Sequence, residues 1–317
     1  MGSCVITSSN DRPVSLAPGS VVRGKWNKAR YQIERLLGEG ANGKVYLVRH
    51  GGVSYALKIG FDTVDLQSEV NMLKTLSRLP GSFSRYLFDV DDLAAGSVRD
   101  GKEYPFYVMR YVQGEQLGDF VRRQGADWIG LIGAGLLRKL RELHRHGFVF
   151  GDLKLDNILV GAYGAVELID FGGVTPKGSA VKQFTEVNDR GYWGAGGRSA
   201  DEAYDLFAYA IVLMQLLGKS KERFFKQPIL PQNRSPEWLQ EEVAADPAFG
   251  VYAPFVRKAL AGGYATSEEA YRDWRSIVHA GMMPKRKKES GSFWLKAGFV
   301  ASVALFALAL YAYWPYG

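Results

Sequence analysis

One cysteine, Cys4, in 317 residues excludes a disulfide within the chain and fits a reducing compartment. Histidine is nearly as scarce. Four of them, scattered along the chain, supply no set for a metal site built on Cys and His. No apolar stretch of secretory-signal type opens the chain, and no internal repeat recurs. Met1-Gly2-Ser3-Cys4 carries Ile6 where a myristoylation pattern requires Ser or Thr. What is present is a globular composition, 47% hydrophobic, enough to bury a core larger than one minimal domain needs. The first thirty residues (1–30), rich in Ser, Pro and Gly, read as a flexible arm or a loose first strand.

The segment from Phe150 to Gly172 carries the densest chemistry: FGDLKLDNILV, nine residues, then DFG. Ile158 to Val160 reads as a short strand, Gly161 to Gly164 as a turn, and Val166 to Ile169 as the return strand. Such a hairpin brings Asn157 and Asp170 to one mouth, and two oxygen ligands there suit Mg²⁺. Asp152 is then placed to orient a hydroxyl nucleophile, and Lys154 to neutralise a phosphoryl group in flight.

Upstream, Leu37-Gly38-Glu39-Gly40-Ala41-Asn42-Gly43-Lys44-Val45 fits G-x-G-x-x-G-x-V. Dinucleotide-binding folds share that spacing, but there the glycines lead into a helix. Here a β-branched and aromatic run follows, then the hairpin signal Gly51-Gly52 and a third strand, Val53 to Ile59. Strand, glycines, strand describes a flap whose amides lie over phosphates. Lys58 sits on the third strand, where alternation alone does not assign its face. Glu69, at the start of a helical pattern, is its natural ion-pair partner.

In this order the groups resemble the motifs of a eukaryotic-type (Hanks-type) serine/threonine protein kinase, bacterial-like in kind. The resemblance implies an α+β bilobal fold over 31–280, with a small β-rich N-lobe (31–112) bearing one long helix, Asp65 to Leu79, and a helical C-lobe (113–280). It implies ATP and Mg²⁺ as cofactors and a protein Ser/Thr hydroxyl as acceptor. Asp152 and Lys154 would be catalytic, and Asn157 and Asp170 would hold the metal. Leu37, Gly38, Gly40, Gly43, Val45, Ala56, Lys58, Glu69, Met109, Arg110, Val112 and Leu159 would line the nucleotide site, Arg110 and Val112 through backbone groups. Asp205 would anchor the backbone of the catalytic loop, and His144 reads as a buried, hydrogen-bonded residue.

The pattern departs from the family in three places. Phe150-Gly151 replaces the His-Arg before the catalytic Asp, removing the arginine that reads a phosphorylated activation segment. Gly194-Ala195-Gly196 stands near the usual Ala-Pro-Glu, and Gly263-Tyr264 near the arginine that pairs with its glutamate. Losing both partners of a buried ion pair strands no charge. The expectation is an enzyme that does not depend on phosphorylation at Thr175, Ser179 or Thr185.

Residues 297–314 are free of charge and apolar all round, with aromatic residues at both ends, and read as a transmembrane helix. A basic linker (281–296), with Lys285-Arg286-Lys287-Lys288, precedes it. Those charges account for part of the +7 balance (40 Lys+Arg against 33 Asp+Glu) and suit anionic lipid, with no nucleic-acid motif beside them. The expectation is therefore a single-pass membrane anchor with the kinase domain in the cytoplasm. Gly298 and Ser302 form one small-x-x-x-small pair of the kind that packs a homodimer. Two further functional readings stand beside the kinase one: a pseudokinase scaffold, and a small-molecule kinase of the aminoglycoside or choline type.

Overall fold

Apolar and polar side chains alternate from Arg30 to Glu34, a β-branched and aromatic run fills Val45 to Val48, and antiparallel strands form over both. A computed structural model of the chain describes residues 15–40, 42–83, 86–92, 104–218, 229–282 and 293–313. Residues 1–14 of the expected arm, Ala41, the Lys285–Lys288 cluster and 314–317 lie outside the described residues. Strands β1 (Val21–Arg23), β2 (Arg30–Gly40), β3 (Gly43–His50), β4 (Val53–Gly60), β5 (Leu87–Asp92) and β6 (Pro105–Arg110) form one antiparallel sheet in the order β1-β2-β3-β4-β6-β5. Val21–Arg23, within the expected arm, pairs with β2 and buries Val22.

The register separates the faces of this sheet. Tyr46, Leu57 and Val108 lie opposite one another and join Val22, Tyr31, Ile33, Val48, Ile59 and Phe106 in the core of the small lobe. Val45, Lys58 and Tyr107 form the neighbouring row, and Leu47, Ala56 and Met109 the row beyond. Directly paired residues share a face and successive residues alternate. Lys58 and Ala56 therefore point away from that core.

Helix α1 (Thr63–Ser77) starts at Asp62, whose side chain accepts from the N–H groups of Val64 and Asp65. It buries Leu66, Val70, Leu73 and Leu76 at helical spacing, with Glu69 among them.

In the larger lobe, β7 (Glu115–Gln116) leads into α2 (Leu117–Gln124) and α3 (Ile129–Arg145). Short strands β8 (Phe148–Val149), β9 (Ile158–Val160), β10 (Val166–Leu168) and β11 (Thr175–Pro176) follow, pairing as β10-β9-β7 and β11-β8. Helix α4 (Glu202–Leu217) is buried continuously from Tyr204 to Met214, as a helix without a polar face must be. Helices α5 (Pro236–Ala245), α6 (Ala253–Leu260) and α7 (Ser267–Met282) complete the lobe.

The chain divides into two compact units, Met1–Ser276 and Ile277–Gly317. The second contains α8 (Phe293–Tyr313). Among the described residues no helix is long and apolar enough to cross a membrane, which overturns the expected transmembrane helix at 297–314. The membrane anchor, the membrane localisation with its cytoplasmic orientation, and the transmembrane part of the fold class are corrected with it. The homodimer expectation rested on Gly298 and Ser302 inside that span and goes too.

Candidate active site

Strand β4 carries Lys58 and helix α1 carries Glu69, and the two meet where the helix crosses the sheet. Lys58 Nζ donates to Glu69 Oε1 and Oε2 at 2.9 and 2.8 Å and to Asp170 Oδ1 at 3.1 Å. Burial by itself favours a neutral amine. Here the Glu69 and Asp170 carboxylates outweigh it and hold Lys58 above the usual lysine range. Burial likewise pushes Asp170 upward, but the Lys58 ammonium dominates and keeps its carboxyl below the usual range. Tyr107, opposite Lys58 on β6, donates to Glu69 Oε1 at 2.8 Å. Sequence reasoning missed this tyrosine, although the β4–β6 pairing that places it is visible only in the fold.

Asp170 has φ 62, a left-handed conformation that costs a non-glycine residue roughly 1–3 kcal/mol and persists only where the surroundings enforce it. The enforcement is visible. Before it, Ile169 N–H donates to Asn157 O at 2.9 Å; after it, Phe171 is buried with its ring centroid 5.9 Å from Phe83, 4.7 Å from Tyr86 and 6.0 Å from Phe150. The β9–β10 hairpin pairs Ile158 with Leu168 and so sets Asn157 and Asp170 at its open end.

Asp152 is 3% exposed. Lys154 Nζ donates to its Oδ2 at 2.8 Å and Thr185 Oγ1 to its Oδ1 at 2.8 Å, while Lys154 also reaches Thr185 Oγ1 at 3.3 Å. Asn157 Nδ2 donates to the Asp152 carbonyl at 2.9 Å, which leaves the amide oxygen as the end available to a cation. The loop is anchored from below. Asp205 on α4 accepts from the N–H groups of Phe150 and Gly151 at 2.7 and 2.9 Å, and His144 Nε2 lies 2.8 Å from it.

Gly151 has φ +81, and a Cβ there would sit 2.5 Å from Gly173 O. The missing arginine is thus matched by a backbone that tolerates only glycine without adjustment. Tyr264 is buried and its hydroxyl donates to Asp273. Trp193, just before Gly194-Ala195-Gly196, stacks on Trp238 at 5.9 Å. Packing in both regions is aromatic.

The glycines of the flap differ in their reasons. A Cβ on Gly43 would lie 2.1 Å from Ile59 O, so the fold itself requires glycine, whereas Gly38 and Gly40 meet nothing within 4 Å. Leu37 and Val45 are half-buried beside them, and Ala56 and Met109 are buried. Val112 and Leu159 are half-buried around the start of β7. Arg110 donates its N–H to Tyr86 O at 2.9 Å, and its side chain reaches toward Glu167 at 3.8 Å. Among the described residues no group of three or more His, Cys, Asp or Glu is arranged to hold a metal. Asn157 and Asp170 fit a cation that draws its remaining ligands from phosphate and water.

The sequence profile of the protein kinase domain matches residues 31–245. The chain is 36% identical over 277 residues to the serine/threonine-protein kinase YabT of Bacillus subtilis (strain 168), covering 87% of this chain and 78% of that protein. It is 27% identical to the serine/threonine-protein kinase max-2 of Caenorhabditis elegans, over 67% of this chain and 34% of that protein. To the RAC-beta serine/threonine-protein kinase B of Xenopus laevis it is 25% identical, over 90% and 62%.

Proposed function

Because the chain belongs to the protein kinase family and is a serine/threonine protein kinase, we propose that Asp152, Lys154, Asn157 and Asp170, with Lys58 and Glu69, transfer the γ-phosphoryl group of ATP to a Ser or Thr hydroxyl. The observation that carries this assignment is the ion triad: Lys58 within 2.8 Å of Glu69 and 3.1 Å of Asp170, joining the sheet, α1 and the Asp-Phe-Gly turn.

Lys58, kept charged and aimed by Glu69, contacts the α- and β-phosphates. The open space at Gly38 and Gly40 lets the flap backbone approach the phosphates closely. Val45, Ala56, Met109 and Leu159 line the adenine. Arg110 contributes no N–H to the base, since Tyr86 takes it. The Asn157 amide oxygen and the Asp170 carboxylate would hold Mg²⁺, which would supply positive charge against that building on the phosphates. Asp152 accepts the acceptor's hydroxyl proton as the oxygen attacks phosphorus, and Lys154 stabilises the charge on the transferring group.

Asp152→Ala is expected to abolish transfer to a mixed Ser/Thr peptide library while leaving the affinity for Mg-ATP intact. Asp170→Ala is expected to lose both. Equal loss of nucleotide affinity in the two variants would refute this division of roles.

A further inference from the structure

We propose that Asp189 is a positioning residue, whose buried carboxylate holds the activation segment and sets Thr185 on Asp152 without an added phosphoryl group. Asp189 is 0% exposed. Its Oδ1 accepts from Gly191 N–H at 3.1 Å and Tyr204 OH at 2.9 Å, and its Oδ2 from Tyr192 N–H at 3.1 Å and Arg198 Nε at 2.7 Å. Four donors on one carboxylate, one of them a guanidinium, is how a phosphoryl group is bound when it orders a loop. Here the anion belongs to the chain.

Two routes lead from Asp189 to Thr185. Along the backbone, one tight turn joins them: Asn188 N–H donates to Thr185 O at 2.8 Å and Asp189 N–H to Glu186 O at 3.1 Å. Through space, the Arg198 guanidinium held by Asp189 lies 4.3 Å from the ring centroid of Phe184, the residue before Thr185. Tyr204, the fourth donor, stands on α4 one residue before Asp205, which holds the loop bearing Asp152. Both sides of the Thr185–Asp152 contact are thereby referred to one rigid helix. Gly151 leaves no arginine to read a phosphate, and Asp189 supplies the order such an arginine would otherwise bring.

This rests on the reading that Asp152 acts on the acceptor hydroxyl, and a double-mutant cycle separates the two. Asp189→Asn keeps the shape and removes the charge. It is expected to lower kcat/KM for the peptide library roughly ten- to a hundredfold, with Mg-ATP affinity unchanged within about twofold. In a Thr185→Ala background the same change is expected to add less than about twofold, because both act through one contact. Losses that multiply, or nucleotide affinity falling in step with Tm, would overturn the proposal. If Asp189→Asn fails to fold, Arg198→Gln enters the cycle in its place, removing the charged donor from a half-exposed side chain, with the same non-additivity expected. Asp152→Ala in the same assay tests the underlying reading: retained turnover there refutes the site, whatever the cycle gives.

Discussion

Thr185 and Asp152, 33 residues apart in the chain, are joined by a 2.8 Å hydrogen bond from the threonine hydroxyl to Asp152 Oδ1. This bears on regulation. Thr185 belongs to a trio of candidate phosphorylation sites, with Thr175 and Ser179, and the three environments differ. Thr175 is fully buried and donates to Gly173 O at 2.9 Å. Ser179 is exposed. A phosphate on Thr185 would set a dianion against the candidate base.

Thr185→Glu is accordingly expected to reduce turnover more than about a hundredfold through like-charge repulsion at short range, with unchanged Mg-ATP affinity. Phosphatase treatment of the wild-type protein should leave turnover intact. A large drop restored by autophosphorylation would contradict this.

Lys58→Met should cost more than activity. It strips the cation from two carboxylates, one of them 5% exposed, and breaking a buried pair from one side costs about 3–5 kcal/mol. Denaturant unfolding should show a clear fall in midpoint, smaller for Lys58→Met/Glu69→Gln than for Lys58→Met alone. Equal midpoints in the two variants would mean that Glu69 is not left stranded.

Gly151→Ala should destabilise the fold by at least about 1–2 kcal/mol, the cost of a left-handed residue with a Cβ, plus the clash with Gly173 O. An unchanged urea midpoint would show that the loop relaxes freely.

The anchor below the loop makes stability depend on pH in two windows. Burial opposes charge on His144, but its contacts with Asp205 and Glu202 outweigh burial and raise it above the usual histidine range. A raised pKa stabilises below the unfolded value, about 6.5, and that contribution is lost as pH rises through the folded value. Burial tends to raise Glu202, yet His144, Lys177 and Ser267 hold it well below the usual carboxylate range. Its contribution is present above the unfolded value and lost as pH falls below about 4.3. Unfolding midpoints should therefore decline on both flanks. His144→Gln should flatten the alkaline flank, and Glu202→Gln the acid one. Unaltered slopes in either variant would remove that group from the account.

Local chemistry made much of this legible before folding was considered. The glycine spacing followed by β-branched residues and the hairpin Ile158–Leu168 are short-range patterns, and strands form where they indicate. The 297–314 expectation failed for a complementary reason. Composition and flanking charges report what a segment could do, while no described helix has the length and apolarity to span a bilayer.

The amino-acid sequence by itself determined the kinase family and the order of its charged groups, because those motifs are local and each residue type suits one task. Only the tertiary structure decided that Lys58 faces away from the sheet's core, that Tyr107 joins Glu69, that Arg110 gives its N–H to Tyr86, and that Asp189 gathers four donors. Each depends on strand register or on how the folded backbone turns donors toward one group. A carboxylate's partners are chosen by which donors lie within about 3 Å after folding, and residue order does not specify that distance.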